Sequence, residues 1–232
     1  MKRLAIIVAW VCALALAALL DRPMAAWVFQ SGVAAKVKSS HLDAALKIPG
    51  HIFFTLAPAG VLVAMHRWRW SLLVLLAGVI SGVNQIIKWI AGRYRPMKVP
   101  GHPDQILPFD LHPFSSGKNL SFPSGHATLA FATAAMMARL MPRWRWLWYA
   151  LASMVAAERV LEGAHYLSDA VGAALVGILS AHLAWWLWRR YAQGDERRAG
   201  NLAGDPLLQR AGEYSGAAEP RGGGDGADGP GV

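Results

Sequence analysis

Residues 122–141 read FPSGHATLAFATAAMMARLM, and the reading of this run decides the fold. Pro-Ser-Gly is a helix-start signature. The residues after it carry no Asp, Glu, Lys or Arg until Arg139, and they are rich in Ala, Leu and Met, so they form a helix apolar enough for lipid. One residue sits awkwardly: His126 places an ionisable ring at the mouth of that helix.

The remaining chain agrees with a membrane setting. Of 232 residues, 55% are hydrophobic and 16% charged, with eleven Trp and a mean hydropathy of +0.31, which is too apolar for an ordinary soluble domain. A bilayer core about 30 Å thick takes roughly 20 apolar residues per helix. Six spans are expected, at about 4–20, 50–65, 71–91, 124–141, 146–161 and 167–188. The expected fold class is therefore all-α, an integral membrane helical bundle with six transmembrane helices. Residues 1–190 form its one membrane domain, and 191–232 a disordered Gly-rich cytoplasmic tail that cannot bury enough apolar surface to offset its ordering entropy. The first span also reads as a signal peptide, but its 17 apolar residues exceed the usual 7–15, which favours an uncleaved anchor.

Charge gives the topology. The formal net charge of +9 does not mark a nucleic-acid partner, because the excess lies at helix ends and loops rather than in the tail. Lys2 and Arg3, Arg67 and Arg69, Arg143 and Arg145, and Arg189 and Arg190 alternate along the six spans, so these four places are cytoplasmic. The protein is expected in the inner (plasma) membrane, with both termini cytoplasmic. The segments 21–49, 92–123 and 162–166 then face the periplasm or exterior. Lys36, Lys38 and Lys47 run against this count; LDAALKI has helical period, and its segment is read as an amphipathic helix on the outer surface. Cys12 is the only cysteine, which excludes an intramolecular disulfide and a thiolate metal cluster. The 97–122 loop is long, and Ile106, Leu107, Phe109, Leu111 and Phe114 among its prolines suit contact with the lipid surface.

Three outward segments share one polar composition. KWIAGRYRP carries Lys88, Arg93 and Arg95; FPSGH carries Ser124, Gly125 and His126; ERVLEGAHYLSD carries Arg159, His165 and Asp169. Taken singly, each is ordinary: snorkelling cations, a capping serine, a structural histidine. Together they suit phosphoryl transfer, in which catalysis is mostly positioning and electrostatic stabilisation of oxygens by groups such as Arg and Lys. A helix N-terminus adds backbone N–H donors, and Gly125 permits close approach of an anion. His165 and Asp169 are four residues apart and share a helical face; a carboxylate on one ring nitrogen leaves the other free to attack. His126 could protonate the departing alkoxide. No metal or other cofactor is required by this scheme.

Lys88, six residues, then Arg95-Pro96; Pro123-Ser124-Gly125-His126; and Arg159, five residues, His165, three residues, Asp169 together resemble the three-part signature of the type 2 phosphatidic acid phosphatase family, in its membrane-bound lipid phosphatase branch. The resemblance implies that His165 forms a phosphohistidine, Asp169 orients it, and His126 is the general acid. It implies that Lys88, Arg95, Ser124, Gly125 and Arg159 hold the phosphate, and that hydrolysis is metal-independent. The implied substrate is a phospholipid or a polyprenyl phosphate or diphosphate in the bilayer. One position departs: the third motif begins Glu158-Arg159 where the family usually has Ser-Arg, so Glu158 and Glu162 could pair with Arg159. Two other readings stay open, a phosphotransferase that passes the phosphoryl group to another lipid, and a non-enzymatic binder or transporter of anionic lipid.

Overall fold

The computed structural model describes residues 2–39, 53–98, 111–114 and 120–203. Among these, every regular element is helical. The helices are α1 (Lys2–Gln30), α2 (Val33–Ser39), α3 (Phe54–Ala64), α4 (Trp68–Ser81), α5 (Asn84–Ala91), α6 (Gly125–Leu140), α7 (Arg145–Leu161) and α8 (Leu167–Ala203). The chain divides into two units, Met1–Leu187 and Trp188–Val232. In the second, α8 continues to Ala203, past residue 190 where the tail was expected to begin. The rest of the expected tail, the LDAALKI segment and most of the 97–122 loop lie outside the described residues.

Among the described residues, three helices are long and apolar enough to cross a membrane: Arg3–Gln30, the α4–α5 pair over Trp68–Ala91, and Leu167–Tyr191. The protein is a multi-pass membrane protein. The other expected spans, at 50–65, 124–141 and 146–161, fall on shorter helices. α3 has 11 residues, α6 has 16 and α7 has 17, and at about 1.5 Å per residue none reaches the ~30 Å of a bilayer core. Every residue of α6 from Ala130 to Met137 is buried, so this stretch meets protein rather than lipid.

Its sequence explains that place. Ala127, Ala130 and Ala134 on α6 meet Ala152, Val155 and Ala156 on α7 and Ala170, Ala173 and Ala174 on α8 in one core. Small side chains let helix backbones approach closely where lipid gives no hydrophobic drive to pack. Gly177 on α8 takes this furthest. A Cβ there would lie 2.5 Å from the Thr128 carbonyl oxygen and 2.8 Å from the Ala132 nitrogen. Gly177→Ala is therefore expected to push α8 off α6 and cost about 1–3 kcal/mol, read as a lower Tm in detergent. Thr55 and Thr133 share a 2.7 Å hydrogen bond that ties α3 to α6.

Two breaks aim the polar segments inward. α4 ends at Gly82 and α5 restarts at Asn84. α5 then stops at Gly92, which holds φ +63 in the left-handed region, with the His112 carbonyl where a Cβ would stand; only glycine fits. The chain turns there, and the next residue, Arg93, goes into the bundle. Of the outer-loop residues expected on lipid, Leu111 and Phe114 are exposed, and Phe114 meets Trp89 edge to face.

Candidate active site

The C-terminal ends of α5 and α7 and the N-terminal ends of α6 and α8 converge. Ser121 N–H donates to the Arg93 carbonyl and Ser124 N–H to the Asp169 carbonyl, so the segment before α6 is clamped between the Arg93 loop and the start of α8. A bridge between Tyr94 and Leu120 adds to the clamp. Ser124 occupies the N-cap position of α6 in an extended conformation, yet its Oγ makes no capping bond. That buried Oγ has no partner among the described residues. Ordinary capping does not account for Ser124. An unsatisfied hydroxyl at a helix start suits the binding of an anion.

His165 lies in the turn between α7 and α8 and is buried, and its Nδ1 faces two oxygens. Asp169 Oδ2 is at 3.5 Å and Ser121 Oγ at 3.3 Å, and Ser121 Oγ itself donates to Asp169 Oδ2. With its proton given to the carboxylate, Ser121 can only accept from Nδ1–H. The ring therefore carries its proton on Nδ1, and Nε2 keeps the lone pair. Burial pushes the His165 pKa down, aided by Lys88 and Arg95 and opposed by Asp169. The imidazole is neutral at pH 7, the form a nucleophile needs.

The cations sit around this ring. Lys88 is buried at the end of α5, and Arg95 is half-buried with Nε donating to the Leu120 carbonyl at 3.4 Å. Burial, and Arg159 beside it, pull the Arg95 guanidinium down from its usual value, the signature of like charges crowded together. Arg159 is also held by carboxylates, Glu162 Oε2 at 2.5 Å and Glu158 Oε1 at 3.7 Å. Its Nε has no partner among the described residues. The departure at Glu158 thus has a structural effect: part of the Arg159 charge is already balanced.

A cavity of about 750 Å³ joins these groups. Lys88, Arg95, Gly125, His126 and His165 line one end, and Leu56, Leu75, Gly78, Val79 and Leu129 the other. Five of the eight sequence-predicted site residues therefore share one cavity. Ser124, Arg159 and Asp169 are not among its lining residues; Asp169 is held against His165, which is.

Four participants escaped the site reading from sequence. Asp169 Oδ1 accepts from Arg93 Nη1 at 2.7 Å and its Oδ2 from the Tyr166 N–H at 2.8 Å. Arg93 also donates to Ser168 Oγ and, through Nη2, to Asp21 Oδ2, each at 2.7 Å. Asp21 accepts from Ser168 N–H at 2.9 Å and from Ser168 Oγ at 2.5 Å. The Arg93 guanidinium lies 3.9 Å over the Tyr166 ring. Arg93 is thus a buried staple between carboxylates of α1 and α8, and α1 closes the site from behind. Asp21 was cut off because the first span was drawn to end at residue 20, and Arg93 was noted without a task; Ser121 and Ser168 carried no distinguishing signal. A carboxylate within an apolar helix, as in ALAALLDRPMAA, was the usable sign.

The PAP2 superfamily profile matches residues 67–192. The chain is 29% identical over 119 residues to the bacitracin transport permease protein BcrC of Bacillus licheniformis, covering 50% of this chain and 55% of that protein. It is 35% identical over 105 residues to a lipid A 1-phosphatase of Rhizobium johnstonii, covering 45% and 40%. It is 31% identical over 137 residues to the putative undecaprenyl-diphosphatase YbjG of Escherichia coli, covering 53% and 65%. The matches thus span between 40% and 65% of these relatives' own length. A transmembrane PAP2-type phosphatidylglycerolphosphate phosphatase from Bacillus subtilis aligns in structure with a TM-score of 0.39 at 24% identity, over 80% of this chain and 87% of that one. With the profile running from before α4 to the far end of the membrane-crossing part of α8, the chain belongs to the PAP2 superfamily.

Proposed function

We propose that this protein is an integral membrane lipid phosphatase that hydrolyses a lipid phosphate or diphosphate through a phosphohistidine. The observation that carries the reading is the single cavity whose cationic, histidine-lined end passes into an apolar end. Such a shape suits a phosphoryl group on a lipid anchor. His165 Nε2 attacks phosphorus in line; Lys88, Arg95 and Arg159, the α6 N–H groups and Ser124 Oγ hold the equatorial oxygens. His126 gives its proton to the departing oxygen and then takes one from the water that cleaves the P–N bond. Asp169, fixed by Arg93 and Ser121, holds the imidazole and stabilises the positive charge it gains.

The proposed orientation is outward, and the proposed bundle has six spans with α3, α6 and α7 completing it. Support comes from the opposite ends of the same helices. Arg67, Arg69 and Arg145 stack on Trp70, Trp68 and Trp146 at 4.2, 5.3 and 5.0 Å, a basic aromatic belt of the kind found at the cytoplasmic interface. The proposed domain division keeps this machinery within residues 1–190.

Phosphate release is the test. Purified protein in detergent is expected to free inorganic phosphate from at least one of phosphatidic acid, phosphatidylglycerol phosphate, a polyprenyl diphosphate and lipid A phosphate, at the same rate with EDTA present. Release abolished by EDTA would contradict the metal-free mechanism, and label recovered in a new lipid instead of phosphate would make the protein a phosphotransferase.

The two histidines set a pH dependence. The free enzyme needs His165 neutral and His126 protonated, so kcat/KM, corrected for substrate ionisation, is expected to be bell-shaped. Gaining a proton disables His165, and its pKa is depressed; the acidic limb should therefore lie below the ordinary histidine value of about 6.5. A flat profile from about pH 5 to 8 would contradict the paired roles.

A further inference from the structure

Two side chains in the cavity have no part in the mechanism so far. Asn84 and Gln85 open α5 and line the cavity between its cationic and apolar ends. Asn84 is buried at 4% exposure, and neither side-chain amide bonds to another described residue. With Lys88 they converge on one point: Asn84 Nδ2, Gln85 Nε2 and Lys88 Nζ lie 3.2, 3.9 and 3.9 Å from where a Cβ on Gly125 would stand. One ammonium and two amides around an opening kept clear by glycine make an oxyanion site.

Its position along the cavity says which oxyanion. Leu75, Val79, Asn84, Gln85 and Lys88 all line the cavity, and along α5 the backbone of Asn84 lies one helical turn, roughly 6 Å, nearer to Leu75 and Val79 of α4 than that of Lys88. A lipid with its tail among Leu75 and Val79 and its terminal phosphoryl at Lys88, Arg95 and His165 sets the atoms next to the scissile bond against the two amides. In a prenyl monophosphate those atoms are hydrocarbon, and the amides would stay unpaired at a cost. In a lipid diphosphate they are the oxygens of the inner phosphate.

We infer that Asn84 and Gln85, sharing Lys88, bind the inner phosphate of a lipid diphosphate, an inference that rests on the phosphatase reading above. His165 Nε2 forms a bond to the outer phosphorus as the bridging P–O bond breaks. The proton of His126 passes to the bridging oxygen, which leaves on the lipid monophosphate. Water then releases the outer phosphoryl group as inorganic phosphate.

The test compares farnesyl diphosphate, farnesyl monophosphate and dioctanoyl phosphatidic acid, using the full chain in detergent. Asn84→Ala with Gln85→Ala is expected to lower kcat/KM for the diphosphate about 30-fold further than for the monophosphate. Gln85→Ala alone, at an exposed position that folding does not depend on, should move that ratio in the same direction. Equal losses on diphosphate and monophosphate would overturn the inference, since the amides would then hold the transferred phosphoryl group. So would a loss greatest on phosphatidic acid, which would assign them to a glycerol backbone, or no loss on any substrate. No phosphate release by the unaltered chain from any of the three would instead overturn the phosphatase reading and the subsite with it.

Discussion

His165→Ala is expected to reduce phosphate release by roughly 10⁴- to 10⁶-fold, the scale seen when a covalent nucleophile is removed, while leaving the protein folded. The size follows from the site's construction. His165 is the imidazole held by Asp169 and Ser121 through Nδ1, which leaves its Nε2 as the proposed nucleophile. The cradle of Lys88, Arg95 and Gly125 would still bind substrate, so the loss should appear in kcat, with KM little changed. His126→Ala should cost less, about 10²- to 10⁴-fold, and least on a diphosphate, whose leaving phosphate needs a proton less than an alkoxide does. A His165→Ala protein with near-native turnover would remove the nucleophile from the account.

The second large effect is on stability. Arg93→Met is expected to destabilise the protein by about 3–5 kcal/mol, because it strands charge in the interior. Arg93 is 2% exposed and its partners Asp21 and Asp169 are 1% and 0% exposed; with the guanidinium gone, neither carboxylate has a cation at contact distance among the described residues. Adding Asp21→Asn to Arg93→Met removes one stranded charge and should recover part of the loss, a coupling that two independent substitutions would not show. Thermal unfolding in detergent measures both. An unchanged Tm for Arg93→Met would mean that the staple does not hold α1 to α8.

These two effects differ in how far the sequence foretold them. The start of α6 at Gly125 was readable from Pro-Ser-Gly, and the His165–Asp169 pair from its four-residue spacing, because both rest on local helical geometry. That residues of three motif segments share one cavity agrees with the sequence reading, in which basic residues set the topology. The Arg93 staple was not readable, since it needs α1 to dock against the α7–α8 turn, where Phe29 covers Gly163. No local pattern encodes which helix finds which. Ser121 was hidden likewise, a serine in a loop until the fold sets it between His165 and Asp169. Apolarity alone did not separate lipid contact from protein contact: α6 is buried from Ala130 to Met137. The Gly-rich composition that set the tail at 191–232 did not show that α8 runs on to Ala203, through residues such as Arg, Glu and Ala that favour a helix.

Trapping the intermediate tests the central claim most directly. Native protein mixed with a substrate labelled in its terminal phosphoryl group, then quenched in alkali within a single turnover, should carry up to one label per chain. That label should be stable to base and lost in acid, as a P–N bond is, and should map to His165. Turnover that proceeds with no label on the protein, or with label on a residue other than His165, would contradict the phosphohistidine mechanism.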